Sequence, residues 1–260
     1  MKSMYVILAH QRSGTHLLQS LLRSSNEIFQ YDEVLYPALK GETEDLLFFE
    51  YYLEEVRRDP NKLLFTDNSV VDSLFEGYFQ EACRRVSKQV VGFDIKLDQF
   101  SCFPRLSYII PLLGIKIIHL VRGNYIARIA SHEAMQVKVA EGIKSDSFHF
   151  EKFKSNAFIL DIEQTIAWAD RDYAHNSWIK DVMIANGGDY MEMYYEDISG
   201  PDYKSKMHQL FDFLNVERCD LSFATVRQGD LDLSKRVSNY VELEQEIITR
   251  GKRYLLGDVK

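Results

Sequence analysis

An apolar run that passes through a short polar turn into an amphipathic helix constrains the fold of this chain most. Residues 4–9, MYVILA, are apolar and include β-branched side chains, which is the pattern of a strand covered on both faces. After the turn, leucines recur at helical spacing on one face, at Leu17, Leu18, Leu21 and Leu22. A strand, a loop and a helix in this order predict the first unit of a parallel sheet.

The same alternation continues along the chain. Strand-like runs lie at 90–97, 115–122 and 189–198, and helical patterns lie at 42–57, 70–87, 101–114, 124–141, 157–186, 203–214 and 240–253. These segments predict an α/β fold with a mainly parallel central sheet flanked by helices. No repeat, linker or low-complexity tract divides the chain, so we expect a single domain over residues 1–260.

Composition narrows the class of partner. The chain carries 31 basic and 39 acidic residues, a net charge of -8, which argues against broad binding of nucleic acid or anionic membranes. Its three cysteines have no disulfide or zinc-site spacing, and no apolar stretch reaches the roughly 20 residues that span a bilayer. We therefore predict a cytoplasmic protein without stable membrane insertion and without a metal site. Its oligomeric state is left open.

The turn after the first strand has the composition of an anion site. A helix start offers backbone N–H groups and the positive end of the peptide dipoles. Gly14 lets the backbone approach an anion closely, Ser13 and Thr15 add hydroxyl groups, and Arg12 adds a cationic fork. The nucleoside-triphosphate pattern GxxxxGK[ST] is absent, which disfavours ATP or GTP hydrolysis. An ordinary strand-to-helix turn, with Ser and Thr capping the helix, remains the alternative.

Two segments resemble the sulfotransferases that use 3′-phosphoadenosine 5′-phosphosulfate (PAPS). The segment QRSGTHLL follows the first strand, as the 5′-phosphosulfate loop does in that family, and IIHLVRGNYIARIASHE places Arg122 and Ser131 where the family holds the 3′-phosphate. The resemblance implies a P-loop-like nucleotide-binding sulfotransferase fold. It also implies PAPS as the donor and adenosine 3′,5′-bisphosphate (PAP) as the product.

Further segments are similar to bacterial carbohydrate sulfotransferases that act on nodulation factors. They are YDEVL at 31–35, VGFDIK at 91–96, MYYEDI at 193–198 and VSNYVEL at 237–243. Their collinear order extends the resemblance over nearly the whole chain and implies a small-molecule or glycan acceptor, with sulfuryl transfer to a hydroxyl of a carbohydrate or glycolipid-like molecule. A nucleotide-dependent kinase and a catalytically inactive nucleotide-binding module remain the alternatives.

The sequence departs from the estrogen-type members of the family at two positions. Arg12 stands where those proteins carry a lysine, which keeps the charge and changes its geometry. Ser131 lies one residue farther from Arg122 than the corresponding serine does. For Arg122 the alternative is a purely structural role, in which it caps the sheet edge and forms a salt bridge to an acidic helix.

Three residues are the catalytic candidates. Arg12 would meet charge that builds on the 5′-phosphate of the leaving nucleotide. Glu33 is the candidate general base, because the carbohydrate-acting members of the family carry a glutamate there, and Asp32 is the neighbour most easily confused with it. His16 is the third candidate because it lies two residues after Gly14, where it would touch the phosphosulfate.

Two other histidines and five further residues complete the candidates. His119 lies within a strand, where a buried, hydrogen-bonded imidazole is expected, and His10 is a weaker candidate for the chemistry. Asp94 and Lys96 leave a strand at the sheet edge where ligands bind and are expected to contact the substrate. The resemblance places three more residues over the nucleotide, Lys235, Arg236 and Asn239, and their alternative is an ordinary basic loop.

Overall fold

The residues that the structure describes form a five-stranded parallel sheet. The computed structural model describes residues 2–36, 46–63, 67–140, 157–222 and 232–257. Within them the strands are β1 Ser3–Ala9, β2 Ile28–Glu33, β3 Val90–Lys96, β4 Lys116–Val121 and β5 Tyr190–Tyr194. They lie in the order β2-β3-β1-β4-β5, and every neighbouring pair is parallel. The predicted α/β fold class is confirmed.

Helices connect the strands and cover both faces of the sheet. They are α1 Thr15–Leu22, α2 Phe48–Arg58, α3 Asn68–Arg85, α4 Leu97–Cys102, α5 Leu106–Leu112, α6 Tyr125–Ala140, α7 Ile162–Ala185, α8 Tyr195–Ser199, α9 Tyr203–Leu214 and α10 Tyr240–Thr249. Short 3₁₀ turns lie at Pro60–Leu63, Leu233–Lys235 and Arg253–Leu256. Within the described ranges, none of these helices combines the length and hydropathy that a membrane span requires.

Several element boundaries differ from the sequence prediction. Residues 101–114 were predicted as a helix interrupted by proline. They are divided between α4, which begins earlier, at Leu97, and ends at Cys102, and α5; Pro104 lies in the turn between them and lacks an N–H to continue the helix. The long helix predicted from 157 begins at Ile162, where the Asp161 side chain accepts a hydrogen bond from the Gln164 amide at 2.8 Å. Part of the predicted 42–57 helix, residues 42–45, lies outside the described residues.

The edges of the sheet differ as well. Edge strand β2 was not predicted, because its sequence, IFQYDE, mixes apolar and polar residues without a clear period. At the opposite edge, the run predicted as a strand over 189–198 ends its β conformation at Tyr194 and continues directly as α8. This early end brings Tyr195 and Glu196 to the carboxyl edge of the sheet.

Alternate residues of β1 divide the core into two layers. Val6 and Leu8 pack in the cluster that includes residues of α3, α5 and α7, and Tyr5 and Ile7 pack in the cluster that includes residues of α1 and α9. This is the period of two that a strand buried on both faces requires. A third apolar cluster joins α6, α7 and α10.

The carboxyl ends of β1 and β4 are where this topology predicts a ligand site. The two strands are neighbours, but α1, which follows β1, packs on one face, and α7, which the chain reaches after β4 and α6, packs on the other. Ligands bind where neighbouring parallel strands send their connections to opposite faces. The loops after β1 and β4 carry Arg12 and Arg122.

Candidate functional site

The loop between β1 and α1 has an unusual backbone. Arg12 has φ 66° and Gly14 has φ 95°, so two of three consecutive residues lie in the left-handed region. The Ser13 amide donates to the His10 carbonyl at 3.3 Å. A non-glycine residue with positive φ is uncommon and often marks a functional site. The left-handed backbone of Arg12 therefore marks this loop as a candidate functional site.

Glycine at position 14 is required for two separate reasons. Its backbone conformation favours a residue without a Cβ atom. A Cβ atom built at this position would also collide with the Tyr195 ring, whose Cδ2 and Cε2 atoms lie against the glycine. Gly14 is the N-cap of α1, and the first turn of α1 carries no acidic residue. The positive end of this helix is therefore not offset by a carboxylate of its own first turn.

The two arginines predicted from separate segments contact the same loop. The Arg122 Nη1 atom donates to the Arg12 carbonyl at 3.2 Å, and the Arg12 Nε atom lies 3.4 Å from the Ser131 Oγ atom. Arg12 follows β1, Arg122 follows β4, and Ser131 lies on α6. The structure thus brings the three residues together at one edge of the sheet.

Arg236 and Glu33 complete the surroundings of Arg12. Burial lowers the pKa of the Arg12 guanidinium, the positive charge of Arg236 lowers it further, and the carboxylate of Glu33 raises it. Both charged groups are therefore close enough to Arg12 to act on it. A cluster of guanidinium groups beside helix N–H groups repels cations and attracts a multiply charged anion.

Residues at the start of α8 contact Arg122 and the two residues that follow it. The Tyr195 ring centroid lies 4.8 Å from the Arg122 guanidinium carbon, in cation–π geometry. The Glu196 carboxylate accepts hydrogen bonds from the amides of Gly123 at 3.0 Å and Asn124 at 3.3 Å. The MYYEDI segment pointed to this region, but its sequence did not show that Tyr195 packs against Gly14 and Arg122.

Lys96 links the loop to two carboxylates. Its Nζ atom lies 3.0 Å from Thr15 Oγ1, 2.7 Å from Asp94 Oδ2 and 3.4 Å from Glu33 Oε1. Burial disfavours the ammonium, but the negative charges of Asp94 and Glu33 outweigh it and raise the pKa of Lys96. An ammonium has three N–H donors, so these three neighbours account for all of them.

The two carboxylates beside Lys96 differ in exposure. Asp94 is fully buried and accepts a hydrogen bond from Gln19 Nε2 at 2.8 Å, whereas the Glu33 side chain is 28% exposed. Burial raises the pKa of both groups, and the nearby Lys96 charge opposes the rise. Of the two acids, Glu33 is therefore the one that a molecule from solvent can reach.

The C-terminal candidates separate into different environments. The Asn239 amide pairs with the backbone of Leu160, accepting from its N–H at 3.0 Å and donating to its carbonyl at 2.8 Å. Lys235 is exposed, with its Nζ atom 4.0 Å from Asp232 Oδ2. Arg236 is half-buried and acts on Arg12. Arg236 is thus the member of this group that the structure brings to the loop.

The histidines also occupy different environments. His119 is buried as predicted, with its ring nitrogens 2.5 Å from the Tyr190 hydroxyl and 2.9 Å from Asn176 Oδ1, and burial lowers its pKa to about 4. Burial, followed by the charge of Arg128, lowers the pKa of His10 to about 2. His16 lies half-buried in the first turn of α1. Among the described residues, no group of three or more His, Cys, Asp and Glu side chains is arranged to hold a metal ion.

Fold and site together define an α/β protein whose first strand-to-helix loop is surrounded by arginine side chains. The sequence matches no protein-family model and no curated protein. Among solved structures, the chain is similar to a sulfotransferase from Alicyclobacillus acidocaldarius, with 14% identity over 100% of this chain and 98% of that one, at a TM-score of 0.47.

Two further solved structures give the same TM-score of 0.47. Mouse sulfotransferase SULT7A1, crystallised with PAP, is 11% identical over 95% of this chain and 65% of that one. The sulfotransferase domain of the curacin biosynthetic pathway is 17% identical over 93% and 86%. At these identities and TM-scores the similarity does not establish a function, which has to be argued from the residues of the site.

Proposed function

We propose that this protein is a PAPS-dependent sulfotransferase that sulfates a hydroxyl group of a carbohydrate or glycolipid-like acceptor. One observation carries the proposal: Arg12, Arg122 and Ser131 meet at a single loop, although they come from separate segments of the chain. Arg122 also donates to the loop backbone and packs on Tyr195, so the nucleotide titration below is what separates ligand binding from a purely structural role.

The residues present fit a doubly phosphorylated nucleotide. The helix N-terminus at Gly14, the buried hydroxyls of Ser13 and Thr15 and the Arg12 guanidinium make a donor set suited to the 5′-phosphosulfate. Arg122 and Ser131 would hold the 3′-phosphate, and Arg236, whose charge acts on Arg12, would add positive charge to the site. Lys235 and Asn239 would contribute to the segment that covers the nucleotide, although the Asn239 amide is already paired with Leu160. PAPS supplies the activated sulfuryl group.

Glu33 has the position and the exposure that a general base needs. It is the solvent-accessible carboxylate beside Lys96, and Lys96 also contacts Thr15 in the loop. Glu33 would accept the proton of the acceptor hydroxyl, and a pKa raised by burial makes a carboxylate a stronger base. Lys96 would hold Glu33 in place beside the loop, and the buried Asp94 would hold Lys96. His16 would add a polar contact to the donor.

Binding of three nucleotides tests the first half of the proposal. Isothermal titration calorimetry with PAP, AMP and ATP should show that PAP binds most tightly. Arg122→Ala should abolish that preference, because it weakens the binding of PAP more than the binding of AMP. Arg218→Ala is the control, because Arg218 is exposed and pairs with Asp212. Equal affinity for PAP and AMP in the unchanged protein would contradict the proposal, and tighter binding of ATP would favour a kinase.

Transfer of labelled sulfate from PAPS to a panel of glycans and glycolipids tests the second half. Glu33→Gln keeps the shape of the side chain and removes the base, so turnover should fall by about 10²- to 10⁴-fold. Asp32→Asn is the matched control, because Asp32 is the preceding residue and pairs with Arg23 at 3.1 Å. Full turnover in Glu33→Gln would remove Glu33 as the base. PAP binding without transfer to any acceptor would favour an inactive nucleotide-binding module.

A further inference from the structure

Two arginines hold two consecutive carbonyl groups of the β1–α1 loop. Arg128 Nη1 donates to the Gln11 carbonyl at 3.2 Å, and Arg122 Nη1 donates to the Arg12 carbonyl at 3.2 Å. A loop with left-handed residues makes a concavity for an anion when its N–H groups turn inward. Because a peptide unit is planar, holding the Gln11 and Arg12 carbonyls also fixes the Arg12 and Ser13 amides that follow them, and the Ser13 amide donates to the His10 carbonyl at 3.3 Å. The arginines therefore control the shape of the loop as well as its charge.

Arg128 differs from Arg122 because its own guanidinium is anchored. Arg128 on α6 is 8% exposed, and its Nη2 atom pairs with Asp172 on α7, which is 1% exposed. His10, at the start of the loop, has its Nδ1 atom 3.9 Å from the other oxygen of the same carboxylate. Asp172 thus lies behind the loop and contacts residues of both the loop and α6.

We infer that Arg128 and Asp172 are a positioning pair for the β1–α1 loop, in which Asp172 fixes the Arg128 guanidinium and Arg128 fixes the Gln11 carbonyl. The pair orients the loop amides before an anion arrives, so less ordering is needed on binding. Neither residue touches the ligand in this scheme. Only the choice of PAP as the probe ligand rests on the proposed function.

A second, more exposed ion pair in the molecule provides a control for the loss of a carboxylate–arginine contact. Asp72 on α3 accepts two hydrogen bonds from Arg105, at 2.7 and 2.6 Å, beside the start of α5. Like Asp172, Asp72 links its helix to an arginine of another segment, but Arg105 donates to no backbone group of the β1–α1 loop among the contacts of the described residues. Asp172→Asn and Asp72→Asn therefore compare the same substitution with and without a connection to the loop.

The test measures the loop in two ways. Calorimetry gives the dissociation constant of PAP, and hydrogen–deuterium exchange of the ligand-free protein gives the protection of the Arg12 and Ser13 amides, which follow the two held carbonyls. Loss of an outer partner of a metal ligand typically costs about 10- to 100-fold in affinity, and by analogy we expect Asp172→Asn to weaken PAP about tenfold and to speed exchange in the loop. Asp72→Asn should leave both readouts as they are in the unchanged protein.

A double variant separates positioning from folding. Arg128→Met/Asp172→Leu removes both buried charges together, which proteins often tolerate, whereas a single removal leaves one charge buried alone. We expect the double variant to recover thermal stability relative to Asp172→Asn, while amide exchange in the loop stays fast and PAP binding stays weak. Recovery of PAP affinity together with stability would overturn the inference, as would wild-type exchange and affinity in Asp172→Asn. If the unchanged protein does not bind PAP, the proposed function fails, and the exchange readout still decides the positioning role.

Discussion

Replacing Gly14 with alanine tests the architecture of the loop directly. Gly14 has φ 95°, and its added Cβ atom would collide with the Tyr195 ring. Gly187 has φ 75° with nothing within 4 Å of an added Cβ atom, so Gly187→Ala reports the backbone cost alone. That cost is about 1–2 kcal/mol for an L-residue in the left-handed region.

The collision at Gly14 adds a second cost. Forcing extra atoms into packed surroundings costs about 1–3 kcal/mol, and a displaced Tyr195 ring also leaves the Arg122 guanidinium, a cation–π contact worth about 0.5–1 kcal/mol at an exposed site. Together these costs should lower the free energy of unfolding of Gly14→Ala by about 2.5–6 kcal/mol, clearly more than that of Gly187→Ala. Gly14→Ala should also weaken PAP, because Arg122 loses the ring that packs against it.

Urea unfolding of five proteins measures the two costs, and Gly187→Ala gives the backbone cost alone. The unchanged protein, Gly14→Ala, Tyr195→Ala and the double variant form a cycle whose coupling energy isolates the contact between the two residues. Tyr195→Ala should rescue part of the loss in Gly14→Ala and leave the backbone cost behind. Equal losses in Gly14→Ala and Gly187→Ala, or additive losses in the double variant, would refute the reasoning that Tyr195 restricts this position.

Two further predictions concern pH. Lys96→Met removes the positive charge that opposes the raised pKa of Glu33, so the pKa of Glu33 should rise further. The acid limb of the kcat/KM profile should then move to higher pH. An acid limb that stays in place or moves to lower pH would exclude Lys96 as a partner of the base. Stability should fall below about pH 6.5, because the unfolded chain protonates two histidines whose folded pKa values are about 2 for His10 and about 4 for His119. Each histidine should lower the free energy of unfolding by about 2 kcal/mol between pH 7.5 and pH 5.0. In urea unfolding of His119→Gln, the loss of stability over this pH range should therefore be smaller by that amount. An unchanged pH dependence of stability would contradict a neutral, buried His119.

The sequence predicted those parts of the site that depend on local pattern. β1, the loop and the start of α1 are one continuous segment, and the strand ending before Arg122 has a clear apolar run. Placing Arg12 and Arg122 at the same edge then requires only that both strands be parallel members of one sheet. The fold class and the meeting of these arginines were predictable for that reason.

Other parts of the site depend on contacts between distant segments, which periodicity does not reveal. Arg128 reaches the Gln11 carbonyl across 117 residues of sequence, and a buried arginine in an amphipathic helix looks like any other polar residue in a single sequence. Asp172 likewise cannot be distinguished by sequence from the other acidic residues of α7. The sequence of β2 mixes apolar and polar residues, so the strand was not predicted, and neither was the position of Glu33 beside Lys96.

The two supports of the loop act on different parts of it. Tyr195 restricts Gly14 at the beginning of α1, and Arg128 with Asp172 restricts Gln11 at the end of β1. Arg12, between them, has a left-handed backbone that needs surrounding contacts to hold it. Loosening either end should therefore relax Arg12 and reduce anion affinity, although only the Gly14 end involves a steric collision. Loss of PAP affinity in both Gly14→Ala and Asp172→Asn, with recovery of stability by Tyr195→Ala only in the first, is the pattern that this arrangement requires.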